Sequence, residues 1–332
     1  MAKKAYFCYE SPSNEPQSMT DEPRRKDLLD IHGLSVEEIT AILDAAVPFK
    51  ELFKRSVKKV PTLKGKQVLT LFYEPSTRTR SSFEIAAKRL SADVTNFSVS
   101  TSSVVKGESV LDTIDTLQAM RTDYVIIRHQ MSGVPEMIAR HTDASVINAG
   151  DGYHAHPTQA LLDAYTIRET FGEIAGRRVL IVGDIKHSRV ARSTSRILKM
   201  LGADVRVFGP GTMVPDDRPA WLQSFANWDE AFAWKPDAIY LLRVQRERQD
   251  DQFFPSVQEY HKFFGITAQR FARVRDEGIY IMHPGPVNRG VELVDAVMDY
   301  ERSLINLQVE NGIATRMAVL YWLKPQSTPL PG

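Results

Sequence analysis

Short apolar, β-rich runs alternate with stretches of helical periodicity along most of the chain, and they fall into two sets of four. The first set lies at Gln67–Tyr73, Asp93–Phe97, Tyr124–Arg128 and Ala144–Asn148; the second lies at Arg178–Val182, Asp204–Phe208, Ala238–Leu242 and Gly278–Met282. Strands separated by helices build βαβ units and parallel sheets. At roughly 150 residues per domain, the 332 residues divide into about two domains, each α/β with a parallel sheet flanked by helices. The division falls near Asp151–Ala160.

Residues 1 to about 27 are polar, contain proline and show no periodicity, so they read as a mobile extension before a folded chain that starts near Leu28. Ser35-Val36-Glu37-Glu38 has the form of a capping box, and Ile39, Ile42, Leu43 and Ala46 continue it as the apolar stripe of a helix. A last amphipathic stretch, Gly312–Leu323, suits packing on either half. The sequence shows no internal repeat.

Composition narrows the functional classes. Lys plus Arg number 42 against 41 Asp plus Glu, a net charge of +1, too low for binding nucleic acid by blanket electrostatics. Hydrophobic residues make up 43% and charged residues 25%, which excludes a disordered chain. Cys8 is the single cysteine, so no internal disulfide or cysteine-rich metal site is open to it, in keeping with a reducing compartment. Apolar stretches such as Val179–Val182 fall far short of the roughly 20 residues that span a bilayer. The N-terminus lacks the apolar run of an export signal. A soluble, cytoplasmic protein is expected.

The strongest chemical signal is Phe72-Tyr73-Glu74-Pro75-Ser76-Thr77-Arg78-Thr79-Arg80, directly after the first strong strand run. Phe83, Ala86, Ala87 and Leu90 recur behind it at helical spacing. The hydroxyls and arginines therefore sit at a strand-to-helix turn, where unpaired backbone N–H groups and the positive end of the helix dipole suit a phosphate. An arginine adds a two-pronged grip on oxygens. The plainer reading is a helix cap followed by a solvated basic turn, but so dense a cluster favours an anion site.

Further candidates follow other strand runs: Arg128-His129, the Gly150–Gln159 segment with His154, His156 and Gln159, the Gly183–Arg189 segment, Arg243-Val244-Gln245 and His283-Pro284-Gly285-Pro286. Ligands of open α/β sheets collect outside the carboxyl ends of strands, so these segments are placed to converge. Singly, each has a plainer reading; a lone Arg189 or Arg243 is most often a surface charge, and Gln159 a helix-surface amide. Val182-Gly183-Asp184 follows a strand as a dinucleotide-binding turn would, but lacks G-x-G-x-x-G, and no P-loop motif is present. His154-Ala155-His156 has the H-x-H form of some metal sites without a well-spaced third ligand.

Together these residues resemble the aspartate and ornithine carbamoyltransferase family. Ser76-Thr77-Arg78-Thr79-Arg80 matches its carbamoyl phosphate signature, and His156-Pro157-Thr158-Gln159 matches a second shared motif. The likeness runs from about Leu28 to about Leu323. Arg243-Val244-Gln245 and the H-P-x-P of His283–Pro286 are similar to the members that use aspartate, whereas the H-C-L-P and D-x-x-x-S-M-G of ornithine enzymes are missing.

The resemblance implies transfer of the carbamoyl group of carbamoyl phosphate to the amine of L-aspartate, in de novo pyrimidine biosynthesis, with no cofactor and no metal. It implies a carbamoyl phosphate-binding domain over 28–155, joined by a C-terminal helix at about 308–325 that packs back on it, and an aspartate-binding domain over 156–307. Ser76, Thr77, Arg78 and Thr79 would hold the phosphate. Arg128, His156 and Thr79 would meet the carbamoyl oxygen, Gln159 its amino group, and the backbone at Pro284 and Gly285 its nitrogen. Arg189, Arg243 and Gln245 would orient the aspartate carboxylates.

A loop serine and Lys106 would come from a neighbouring subunit of a homotrimer, the serine touching carbamoyl phosphate and Lys106 both substrates. Counting back from Lys106-Gly107-Glu108 favours Ser102, with Ser103 as the other candidate, and Val105 stands where some members have a second lysine. The catalytic set implied is Arg78, Thr79, Lys106, Arg128 and His156. The resemblance leaves room for a regulatory or dihydroorotase partner chain. The competing readings are a carbamoyltransferase for ornithine or another amine, a catalytically silent family member, and a nucleotide-binding enzyme with one Rossmann-like half.

Overall fold

Parallel strands buried on both faces need continuous apolar runs, and each predicted run is a strand. A computed structural model describes residues 25–98, 110–244, 256–323 and 325. In the first half, β1 (Gln67–Phe72), β2 (Asp93–Ser98), β3 (Tyr124–His129) and β4 (Ser145–Asp151) form a parallel sheet in the order β2-β1-β3-β4. In the second, β5 (Arg178–Val182), β6 (Asp204–Phe208), β7 (Gln223–Ser224), β8 (Ala238–Leu241) and β9 (Tyr280–Met282) form another, in the order β7-β6-β5-β8-β9. The two-residue edge strand β7 is exposed and carries no apolar signal. β4 runs past Asn148 to Asp151 because its polar residues are paired inside the protein. Asn148 Nδ2 donates to Asp151 Oδ1 at 2.8 Å, and the Gly133 N–H donates to Asp151 Oδ2 at 2.8 Å.

The connecting helices of the first half are α1 (Val36–Glu51), α2 (Thr77–Arg89), α3 (Val110–Ala119), α4 (Val134–Ala139) and α5 (Pro157–Phe171). The rest are α6 (Arg189–Met200), α7 (Trp228–Ala233), α8 (Val257–Phe264), α9 (Ala268–Asp276) and α10 (Ile305–Trp322). The capping box of α1 is formed in both directions: the Glu38 N–H donates to Ser35 Oγ and the Ser35 N–H to Glu38 Oε2. Its stripe of Ile39, Ile42, Leu43 and Ala46 is buried. No helix is long and apolar enough to cross a membrane among the described residues.

The predicted extension, residues 1–27, lies outside the described residues up to position 24. Its last residues are held. Lys26 Nζ donates to the carbonyls of Ala139, Thr142 and Ala144, Asp27 Oδ1 accepts the Val146 N–H at 2.8 Å, and the Leu28 N–H continues the pattern onto Val146 O.

Helix α10 begins at Ile305, seven residues before the amphipathic stretch legible in the sequence, and packs against α1, α2 and α5. Gln308, Asn311, Thr315 and Arg316 are all buried in it, which hides the apolar periodicity. α5 packs against α1 and β4 of the first half and against α6 of the second. One hydrophobic core therefore runs through both halves, from Ile39, Phe83 and Ile126 through Ala160, Ala164 and Leu320 to Ile181 and Val207.

Candidate active site

The order of each sheet reverses at one point, between β1 and β3 in the first and between β5 and β8 in the second. Crevices at such points, outside the carboxyl ends of the strands, are where open α/β sheets bind ligands. Here both open onto one cleft of about 610 Å³. The helices α2, α5 and α6 start at its wall, directly after β1, β4 and β5.

Ser76, Thr77, Arg78 and Thr79 line the cleft at the start of α2. The intrahelical ladder begins with the Arg80 N–H donating to Ser76 O at 3.1 Å. The N–H groups of Thr77, Arg78 and Thr79 thus belong to the open first turn, the arrangement that binds phosphate. The Ser76 side chain makes no cap bond to that turn.

Across the cleft, Gly285 faces the Arg78 guanidinium so closely that a Cβ there would overlap its Nη1 and lie 2.9 Å from its Cζ. Arg243, at the end of β8, lines the same cleft. Burial first, then the neighbouring Arg243 charge, pushes Arg78 below the usual arginine range.

Arg128 leaves β3 beside Arg189, the first residue of α6. One carboxylate joins them. Glu74 Oε1 pairs with Arg128 Nη2 and, at 2.9 Å, with Arg189 Nη2; Glu74 Oε2 accepts from Arg189 Nη1 at 3.1 Å. Arg189 is only 3% exposed and also donates to Gly152 O, so it is no surface charge. Arg78, Arg128, Arg189, Arg243 and Arg316 line the cleft, and among the described residues Glu74 is the carboxylate that lines it with them. A nearly neutral chain thus concentrates positive charge where two small anions would meet.

His156 is the residue directly before α5, and its backbone N–H donates to Ser193 Oγ at 3.0 Å. Gln159, one turn on, is buried and bonded through Nε2 to Asp163 Oδ1. His154 turns away: its Nδ1 faces Asp151 Oδ2 at 3.0 Å. The H-x-H pair is therefore split between two environments. His129 is likewise apart from the cleft, its Nδ1 accepting the Met131 N–H and its ring against Tyr73; burial pushes its pKa down.

The His283–Pro286 segment closes the far side. His283 Nδ1 accepts the Gly285 N–H at 2.8 Å, and the His283 N–H donates to Gln308 Oε1 at 2.9 Å. Full burial pushes the His283 pKa down. The buried Glu292 accepts the N–H groups of Val244 and Asn288, fixing the strand end that carries Arg243.

Eleven of the expected site residues meet in this cleft: Ser76, Thr77, Arg78, Thr79, Arg128, His156, Gln159, Arg189, Arg243, Pro284 and Gly285. Ser102, Ser103, Lys106 and Gln245 lie outside the described residues. Sequence reasoning missed Ser82, Gln308 and Arg316, which also line it. Arg316 Nη1 donates to Ser82 Oγ and Gly312 O, and burial pushes its pKa down to about 10. Glu74 lies inside the Phe72–Arg80 motif, yet its two partners, Arg128 and Arg189, are distant in sequence.

Comparison with known proteins agrees with this geometry. Residues 26–169 match the family model described as aspartate/ornithine carbamoyltransferase, carbamoyl-P binding domain, and residues 175–323 match the one described as its Asp/Orn binding domain. The aspartate carbamoyltransferase catalytic subunit of Akkermansia muciniphila is 69% identical over 303 residues, 91% of this chain and 98% of that one. That of Halothermothrix orenii is 53% identical over 301 residues, 90% and 96% of the two chains.

Among solved structures, the Trypanosoma cruzi aspartate transcarbamoylase in complex with N-(phosphonacetyl)-L-aspartic acid superposes with a TM-score of 0.81 at 29% identity, covering 91% of this chain and 96% of that one. The catalytic subunit of M. jannaschii aspartate transcarbamoylase gives 0.77 at 33% identity, covering 89% and 97%. Two matched domain models, relatives aligned over nearly their whole length and a cleft at the junction of the two halves lead to one assignment: the chain belongs to the aspartate/ornithine carbamoyltransferase family.

Proposed function

We propose that this chain transfers the carbamoyl group of carbamoyl phosphate to the amine of L-aspartate, giving N-carbamoyl-L-aspartate and phosphate. The observation that carries the reading is that Arg78 and Arg243, from opposite halves, face one cleft beside the open first turn of α2. A phosphate and a dicarboxylate side by side need this arrangement. Ornithine attacks through its side-chain amine and would want a carboxylate for the α-ammonium it keeps, and the carboxylate that lines this cleft among the described residues, Glu74, is committed to Arg128 and Arg189.

In this reading Ser76, Thr77, Arg78 and Thr79 hold the phosphate. The neutral amine of aspartate attacks the carbamoyl carbon, the carbonyl oxygen takes the negative charge, and the C–O bond to phosphate then breaks. Arg128, His156 and Thr79 stabilise the oxyanion; losing one such donor typically costs about 2.7–4 kcal/mol, or 10²–10³ in rate. The departing phosphate accepts the amine proton, so no side chain needs to form a covalent intermediate. Arg189, Arg243 and Gln245 orient the aspartate carboxylates, and orientation supplies much of the remaining acceleration.

Ser102 and Lys106 complete the site from the neighbouring copy in a homotrimer. The setting is pyrimidine synthesis in the cytoplasm. The choice of the two substrates is supported by a relative: the Trypanosoma cruzi aspartate transcarbamoylase has been solved in complex with carbamoyl phosphate and aspartate.

The test is product formation from carbamoyl phosphate with L-aspartate and, separately, L-ornithine, with Arg78→Ala as the contamination control. Carbamoyl-aspartate made by the unmodified chain alone is expected. Citrulline would overturn the assignment of Arg243, and near-normal turnover by Arg78→Ala would overturn the phosphate site.

A further inference from the structure

Asp163 lies one turn behind Gln159 on α5 with no exposed surface. Four donors from four elements surround its carboxylate. Oδ1 accepts from Gln159 Nε2 at 3.0 Å and from Gln308 Nε2, on α10, at 2.8 Å. Oδ2 accepts from Thr194 Oγ1, on α6, at 2.8 Å and from the Tyr240 hydroxyl, on β8, at 2.9 Å. The two oxygens differ in kind: one serves two amides, the other two hydroxyls.

An ionised carboxylate only accepts hydrogen bonds. Both amides must therefore turn their nitrogens toward Asp163 and their oxygens away, because a flipped amide would set oxygen against oxygen. For Gln308 the outward oxygen accepts the His283 N–H at 2.9 Å, which holds the His283–Gly285 segment at the far wall. For Gln159, which lines the cleft, the end left for a ligand is an acceptor.

We propose that Asp163 is a positioning residue that fixes the polarity of both cleft amides, so that the site accepts an –NH2 group at Gln159 and holds the opposing backbone through Gln308. This rests on the reading of the cleft as a carbamoyl phosphate site. It makes Asp163 the origin of discrimination between a carbamoyl group and an isostere that cannot donate. Acetyl phosphate, with a methyl in place of the –NH2, is that isostere. A site built to bond a donor rejects the analogue lacking it.

The chemistry also separates two substitutions. In Asp163→Asn the amide oxygen keeps both glutamines in place, while its –NH2 meets two hydroxyls that rotate to accept. In Asp163→Ala nothing orients either glutamine. The measurement is the KM for carbamoyl phosphate beside the Ki of acetyl phosphate as a competitor, in the full-length chain. For Asp163→Ala the KM is expected to rise at least about tenfold while the Ki moves less than about threefold, and Asp163→Asn is expected to restore the KM to within about threefold.

Equal shifts of KM and Ki in the alanine variant, or an asparagine variant as impaired as alanine, would overturn the assignment. If Asp163→Ala does not fold, the comparison passes to Thr194→Val/Tyr240→Phe with and without Asp163→Asn. The double variant retains the carboxylate and keeps the discrimination. The triple variant has no hydroxyl to orient the asparagine and loses it; retention there would overturn the assignment. An unmodified chain that makes no carbamoyl-aspartate overturns the reading of the cleft, and this assignment with it. An active chain whose alanine variant shifts both ligands alike overturns this assignment alone.

Discussion

Glu74 grips Arg189 with both carboxylate oxygens, tying the β1–α2 turn of the first half to the first turn of α6 in the second. The same carboxylate pairs with Arg128, so one negative charge sits between two guanidiniums of the proposed site. Removing one partner of a buried ion pair leaves the others uncompensated, a cost of roughly 3–5 kcal/mol. Glu74→Gln is therefore expected to lower the melting temperature and to cut kcat/KM for L-aspartate about tenfold or more. Steady-state kinetics on Glu74→Gln, Arg189→Gln and the double variant check this. Effects that simply add would show that the pair does not act as a unit.

The approach of Gly285 to Arg78 gives a second prediction. Its φ of +63° is strained for an L side chain, and a Cβ would occupy the space of the guanidinium. Gly285→Ala is expected to displace Arg78 and raise the KM for carbamoyl phosphate about tenfold, with a smaller effect on aspartate. In an Arg78→Ala background the same change should add little. A Gly285→Ala enzyme with an unaltered KM would remove the argument.

How much of this was legible before folding follows from where each residue finds its partners. The strands were readable because parallel sheets bury both faces, and runs such as Tyr124–Arg128 are apolar almost throughout. The Ser76–Arg80 cluster was readable because its helix follows within a few residues. Arg189 and Arg243 carry no local signature, and only the family resemblance lifted them above ordinary surface charges. Asp163 and Gln308 are 145 residues apart, and a polar residue in a helix reads as solvent-facing until the helix that buries it is known. Arg316 was hidden in the same way, because its partner Ser82 is on α2.

Gly312 reverses an ordinary rule. Glycine to alanine inside a helix normally stabilises by about 1 kcal/mol. Here a Cβ would lie 2.5 Å from Arg316 Nη1 and 3.3 Å from Leu162 Cδ2. The guanidinium is buried and bonded to Ser82 Oγ and Gly312 O, and a buried donor that loses its partner costs about 1–3 kcal/mol or more when charged. Gly312→Ala is expected to melt several degrees below the unmodified protein. A rise in melting temperature would show that α10 moves aside without loss.

Asp163 also predicts how stability depends on pH. Burial pushes its carboxyl up to about 6 from 3.8, more than the four donors pull it down. The charged and titratable groups facing it are the Tyr240 hydroxyl from β8 and the Arg316 guanidinium from α10. Neither changes charge between pH 4 and 7, so the carboxyl titrates alone in that window. The folded state keeps this proton at pH values where the unfolded chain has released it. The stabilisation is fully present below about pH 3.8 and is lost as pH rises through about 6, a difference of roughly 3 kcal/mol. Asp163→Asn has no proton to release there. The stability of Asp163→Asn relative to the unmodified chain should climb between pH 4 and 6 and then level off, read from melting temperatures at fixed protein concentration. A constant difference across that range would mean that the carboxyl does not titrate there.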